Sequence, residues 1–191
     1  TGNCETVKGQ VNVFRQNGVD TIYGIIDWDK KNSSSDNIFV LGENKGYSIE
    51  SFILDPLLVF ILSMINYGKL DLEEFGLSKT FRFPEIEKLS SEELQNITEN
   101  MLKKLALHSA ETGNTIRKYL GGTEITLPNS FCFYPGHDLE KRYQSILPFL
   151  NSIGQKEGQL KREIINKAMH HFPRLIPEEF QATFAKIKQK T

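Results

Sequence analysis

Two aspartates one residue apart, Asp27 and Asp29, close the apolar run Thr21–Ile26 with Trp28 between them. An apolar, Ile- and Tyr-containing run that stops at acids reads as a buried strand. Alternate side chains of a strand share a face, so the two carboxylates are expected on one side and the Trp28 ring on the other. Like charges held that close at a sheet rim call for water or a cation. A hard divalent ion such as Mg²⁺ prefers such oxygens. The bland alternative is a pair of solvated acids in a loop.

Three further groups carry possible chemistry. Ser48 and Glu50 repeat the i, i+2 spacing just before a buried helix, where Glu50 could reach the same sheet edge. Helix capping would equally account for either residue. His137 and Asp138 follow Gly136 at the expected start of a helix, where an anion such as phosphate is favoured. Asp138 reads as that helix's N-cap, which leaves His137 as the residue with chemistry. Lys30 and Lys31 directly follow the acid pair, where they could steady a phosphate or face water. His108 falls on an apolar helical face and reads as packing. His170 and His171, adjacent in a Lys-rich stretch, read as surface residues.

The elements that must position these groups are partly legible. Val7–Asn17 places Val7, Val11 and Phe14 on one face of a short helix ended by Asn17-Gly18. The strand Thr21–Ile26 follows, then an exposed loop over Lys30–Asn37 and a second short strand, Ile38–Leu41. Asp55 and Pro56 are an N-cap and first helical residue for a buried helix. This order of helix, strand, loop, strand and helix points to an α/β fold. From Leu70 to Tyr119 strand signal is weak. Ser90-Ser91-Glu92-Glu93 opens a helix with a capping box, its apolar stripe running through Leu94, Ile97, Met101, Leu105 and His108. Gly121-Gly122 is expected to end this helical region. Leu127–Tyr134 reads as a further strand of the sheet, Pro135–Asp138 as a turn, and Leu139–Leu150 as a helix. Gly158–Lys190 reads as a helical tail broken at Pro173 and Pro177.

Bulk properties exclude some classes. The chain has 191 residues and a net charge of −1, so no global basic field announces nucleic-acid binding, although a local patch would suffice. Cys4 and Cys132 form neither a metal-ligand spacing nor a disulfide framework, and a reducing cytosol is the default setting. The longest apolar run, Phe52–Ile65, is interrupted by Asp55-Pro56 and too short for a bilayer, so no membrane association is expected. The N-terminal residues carry no signal peptide. Thr1-Gly2-Asn3 reads as an internal stretch of a longer chain.

Gly-Ile-Ile-Asp-Trp-Asp, then Ile-Phe-Val-Leu, then Tyr-Ser-Ile-Glu-Ser-Phe-Ile-Leu, with a late Tyr-Pro-Gly-His-Asp-Leu, resembles the Toprim-like domains of the DUF4435 group. These are related to the nucleases of the overcoming-lysogenization-defect family, which accompany ABC-type or AAA-type ATPases. The resemblance covers Val7–Ile65 and Ser130–Leu150. It implies an α/β, Toprim-like (Rossmann-like) sheet lacking its first strand. Residues 1–66 would form the first part of the core, 67–125 a helical insertion, 126–150 the last core strand and helix, and 151–191 a helical tail. It further implies that Asp27 and Asp29 bind Mg²⁺ (or Mn²⁺), that Ser48 and Glu50 join the metal shell, and that His137 faces the scissile phosphate of a nucleic acid.

The family's earlier acidic motif has no counterpart here. Glu5 is the only acid before Asp20, and its surroundings do not match, so the first strand is expected upstream of Thr1. Two functions follow as expectations. One is a Mg²⁺-dependent nuclease that works with an ATPase. The other is a catalytically incomplete interaction or sensor module of a defence or repair complex. A haloacid-dehalogenase-type phosphatase also carries Asp-x-Asp, but Lys30-Lys31-Asn32 stands where that pattern has Gly-Thr or Gly-Val. Nucleotide-sugar transferases use Asp-x-Asp as well, and no donor-binding pattern accompanies it.

Overall fold

The computed structural model describes residues 3–66, 70–153 and 158–190. They form a mixed α/β structure in which helices dominate and the strands fall into two separate pairs. The first helix, α1 (Cys4–Gln16), begins one turn earlier than its apolar spacing suggests, because Asn3 caps it by accepting from the Thr6 amide at 2.9 Å. Only Val11 of its apolar face is buried, and Phe14, expected on that face, is 48 % exposed.

Strands β1 (Gly24–Ile26) and β2 (Ile38–Val40) pair in parallel, Gly24 opposite Ile38 and Ile26 opposite Val40. The expected strand Thr21–Ile26 is thus shortened to its last three residues. Helix α1 lies so close over β1 that a Cβ on Gly24 would stand 2.8 Å from Val7 Cγ1, which explains glycine in mid-strand. Val11, Ile26, Ile38 and Val40 form a small core there, with Cys4, Val7, Ile22 and Trp28 around it.

The main core is helical. A short helix, α2 (Glu50–Ile53), leads into α3 (Pro56–Asn66), started by the Asp55 cap as expected, with Asp55 Oδ1 accepting from the Leu57 amide at 2.9 Å. Leu57 through Leu62 are completely buried, so α3 is enclosed on all sides and carries no polar stripe. Against it packs α4 (Ser91–Leu105), opened by the Ser90–Glu93 capping box that the sequence announces. Ala106 turns into the left-handed region at φ 45° and stops α4 at Leu105. His108 therefore lies beyond the helix and is exposed, not packed on an apolar face as the periodicity implies.

Where a purely helical insertion was expected, β3 (Asn114–Lys118) and β4 (Glu124–Pro128) form an antiparallel hairpin. Gly121-Gly122 sits in its turn, with Gly122 at φ 80°, and does not end a helix. The strand expected over Leu127–Tyr134 ends at Pro128, and Asn129–Cys132 form a short helix, α5. Hairpin β3–β4 is separate from β1–β2, so no single larger sheet joins them. Helix α6 (Gly136–Ile146) starts earlier than Leu139, taking up the residues expected as a turn. Asp138 stands in its first turn, and the N-cap position belongs to Pro135, which corrects the capping role expected of Asp138.

The tail is helical as expected: α7 (Gln159–Glu163), a π-helical continuation over Ile164–Met169, a 3₁₀ turn at Pro173–Leu175 and α8 (Glu178–Lys188). Its Ile164–Met169 stretch packs on α3. The expected insertion and tail also contain residues 67–69 and 154–157, which lie outside the described residues. No helix among the described residues is long and apolar enough to cross a membrane.

One buried polar cluster ties these parts together. Asp55 Oδ2 accepts from Arg117 Nη1 at 2.8 Å and from the Tyr119 hydroxyl at 2.9 Å, and Arg117 Nη1 also donates to the Ser51 carbonyl at 2.9 Å. Burial disfavours the Arg117 charge, but Asp55 outweighs it and holds the guanidinium protonated. Removing one partner of such a pair leaves the other charged and unmatched, at a cost of roughly 3–5 kcal/mol. Asp55→Ala is therefore expected to lower the urea unfolding midpoint by an amount equivalent to about 3–5 kcal/mol. Arg117→Met, which replaces the charge with apolar volume but strands Asp55, should also destabilise, while the double change Asp55→Ala/Arg117→Met should cost less than the sum of the two.

Candidate functional site

The site forms where the carboxyl end of the parallel strand pair meets the starts of α2 and α6. In open α/β structures this end of the strands is the usual ligand position. A cavity of about 730 Å³ opens there, and Asp27, Asp29, Glu50 and His137 all line it, together with Cys4 and Ile49 among others. Four of the five residues singled out as metal ligands or catalytic groups thus share one cavity. Ser48, the fifth, is buried beside it and does not line it.

The route by which they converge differs from strand parity. β1 ends at Ile26, and Asp29 and Lys30 take left-handed backbone angles, φ 49° and 57°. The chain therefore turns at Trp28–Asn32, with the Lys31 and Asn32 amides donating to the Trp28 carbonyl. It is this turn, latched by the Asp29 amide on the Tyr47 carbonyl at 2.9 Å, that brings Asp29 back to the cavity. Trp28 points elsewhere, into the small core and against Phe133 at 5.6 Å between ring centres. Ser48 and Glu50 likewise lie on no strand: Glu50 is the first residue of α2.

Each acid has a distinct partner. Asp27 Oδ1 accepts from the Ile49 amide at 2.6 Å, which pins the β1 end to the entry of α2. Burial pushes the Asp27 carboxyl up, and the charges of Glu50 and Asp29 push it the same way; the Ile49 amide and Lys161 offset only part of this. Glu50 Oε1 pairs with Lys161 Nζ of α7 at 2.7 Å. Burial raises the Glu50 carboxyl too, but the Lys161 hydrogen bond and charge prevail and hold it below the ordinary glutamate range. Nearby Ser48 lends a small push in the same direction, although its hydroxyl has no hydrogen-bond partner of ordinary geometry. Asp29 Oδ2 accepts from Cys4 Sγ at 3.7 Å, and Asn32 Nδ2 donates both to Cys4 Sγ and to the Asp27 carbonyl. Burial raises the Cys4 thiol, reinforced by the charges of Asp29 and Asp27 and opposed by an Asp27 backbone hydrogen bond, which favours its uncharged, donating form.

His137 arrives through close packing of α6 on α2. A Cβ on Gly136 would fall 2.5 Å from Ser48 Oγ and 2.6 Å from Glu50 Cβ, so only glycine permits this approach. Lys30 turns away, pairing with Glu111 and lying over the Phe133 ring at 5.4 Å, while Lys31 is exposed. His170 and His171 are exposed, as expected.

The donor chemistry suits a hard cation, since the cavity holds three carboxylates and Asp27 is destabilised by its acidic neighbours. Among the described residues, however, no three His, Cys, Asp or Glu side chains stand close enough together to hold one ion. Mg²⁺ tolerates this arrangement better than most metals, because it keeps several waters and needs only one or two carboxylates. Asp27 shares its cavity with the carboxylates of Glu50 and Asp29.

Lys161 and Arg162 had no sequence signal. Lys161 lies 111 residues from Glu50 in a tail helix without a motif, and only the packing of the tail beneath α3 brings it to the site. No protein-family model, curated protein sequence or solved structure matches the chain.

The charge balance has a measurable consequence. Because the folded state raises the Asp27 carboxyl, folding becomes less favourable as pH climbs from the ordinary aspartate range through the raised value, and stays so at neutrality. Asp27→Asn keeps an acceptor for the Ile49 amide and removes that charge. It is expected to melt higher than the native protein at pH 7 and to lose this advantage at pH 3, where Asp27 is protonated in both states. Thermal unfolding at the two pH values checks it.

Proposed function

We propose that the chain carries a divalent-cation-dependent site for phosphodiester hydrolysis, set in a Toprim-like core of the DUF4435 kind and operating beside an ABC-type or AAA-type ATPase. The observation that supports this most is the convergence of Asp27, Asp29, Glu50 and His137 on one cavity at the carboxyl end of parallel strands. Asp27 and Glu50, with Asp29 within the same cavity, would hold Mg²⁺ or Mn²⁺. When bound, the ion would neutralise phosphate charge and make a coordinated water acidic. The chain's own residues then have separable tasks. The Ile49 amide fixes the Asp27 carboxylate. Trp28, tucked into the small core, holds the turn that presents Asp29. His137, at the start of α6, faces the space where a phosphate would lie and can carry a proton to or from its oxygens.

A second reading rests on the Lys161–Glu50 pair and on the lack, among the described residues, of a three-ligand cluster. With Glu50 already neutralised, the same cavity suits a non-catalytic interaction module of a defence or repair complex. Manganese titration by electron spin resonance, run alongside Mg²⁺-dependent cleavage of plasmid DNA and tRNA, separates the two. Hydrolysis predicts one bound Mn²⁺ and cleavage that EDTA abolishes, both lost in Asp27→Ala, with a rate drop of at least ~10²-fold, as expected when the group anchoring the charge stabilisation is deleted. Cleavage that survives Asp27→Ala would sink the site, and manganese binding without cleavage supports the interaction module.

A further inference from the structure

The acidic cavity has a neighbour of opposite character. A second cavity, about 380 Å³, shares Asp27, Ile49 and Glu50 with the first and extends from them over Ile53 to Lys161, Arg162, Ile165 and Asn166. Asp27 and Glu50 are therefore a partition, with carboxylates and His137 on one side and two adjacent cations on the other. Ile49, Ile53 and Ile165 supply apolar surface in the second cavity, and Ile165 is 46 % exposed. Cations beside apolar surface complement a nucleotide, whose phosphate is anionic and whose base and sugar are not.

Lys161 is suited to exchange partners. The pair with Glu50 retains water contact, at 18 % and 20 % side-chain exposure, and a phosphate oxygen would replace one charge-assisted hydrogen bond with another. Arg162 is exposed and offers a planar fork that matches phosphate. A chain of net charge −1 has no general attraction for nucleic acid, so any such affinity must come from a local wall of this kind.

We propose that Lys161 and Arg162 form the phosphate-binding wall of this site and seat the backbone of a single nucleic-acid strand, with Lys161 leaving Glu50 for the phosphate as a divalent cation takes its place at the carboxylate. This rests on the phosphodiester reading of the acidic cavity, but it concerns binding and not cleavage.

The test is fluorescence anisotropy of labelled single-stranded DNA and RNA 12-mers, in Ca²⁺ in place of Mg²⁺, across a range of salt concentrations. Lys161→Gln/Arg162→Gln is expected to weaken binding at least tenfold and to flatten the logarithmic salt slope by about 1.4, the loss of two phosphate contacts on a single strand. Arg162→Gln alone, at an exposed position, keeps the fold and should flatten the slope by about 0.7. Native protein that binds neither oligonucleotide, or variants that bind with the native affinity and slope, overturn the proposal. A difference between the DNA and RNA arms identifies the strand, and either result supports the wall. Wall-dependent binding without cleavage would remove the hydrolytic function and leave the wall standing, whereas cleavage with unaltered binding by the variants would do the reverse.

Discussion

The buried pairing of Asp55 with Arg117 and Tyr119 is the constraint on which the rest of the structure hangs. Asp55 uses one oxygen to start α3 and the other to receive two groups from β3 and the residue after it. Arg117 is enclosed between aromatic faces, 4.5 Å from the Phe52 ring centre and 5.9 Å from that of Phe131, so it reaches both α2 and α5. A charge in that setting tolerates few geometries. It therefore fixes the hairpin, the start of the central helix and the short helix bearing Glu50 as one unit.

That unit sets where the site can be. Phe52, held under Arg117, fills the space left by Gly42 and Gly46, where a Cβ would fall 2.1 Å and 2.5 Å from its ring atoms. The turn after β2 is thereby pressed against α2, and the Tyr47 carbonyl and Ile49 amide are presented to Asp29 and Asp27. The acids do not gather because a strand alternates. They gather because a tight turn on one side and a helix start on the other are hydrogen-bonded to each other across the strand ends.

The electrostatics of the cavity follow from this crowding. Three carboxylates share one space: burial, then the charges of Glu50 and Asp29, raise the Asp27 carboxyl, whereas Lys161 hydrogen-bonds Glu50 and offsets only part of the effect on Asp27. Positive charge placed there would offset the repulsion that Glu50 and Asp29 exert on Asp27. The adjoining cavity carries Lys161, already paired with Glu50, and Arg162. A phosphate with its counter-cation, as proposed, would engage both cavities at once.

Local signals carried a definable share of this. Asp55-Pro56, the Ser90–Glu93 box and the breaks at Pro173 and Pro177 mark helix ends through bonds made within a few residues, and such marks survive in any tertiary context. The pair Asp27 and Asp29, Glu50 and His137 were visible as chemistry because acids after an apolar run and a His at a helix start stand out against their neighbours. Other features were decided only by distant contacts. Strand β3, with exposed Ile116 and buried Arg117, has no alternating apolar pattern, because its inward residue is a cation matched by Asp55 62 residues away. Asn129–Cys132, inside the aromatic run that reads as a strand, coil into a helix under Arg117, where tertiary packing decides the outcome. Lys161 became part of the site only when the tail folded back along α3, since charge pairing across 111 residues leaves no periodic trace in a chain. Sequence alone determined which groups could do chemistry and where helices begin; tertiary structure decided which of those groups meet, because burial and charge balance are properties of neighbours in space.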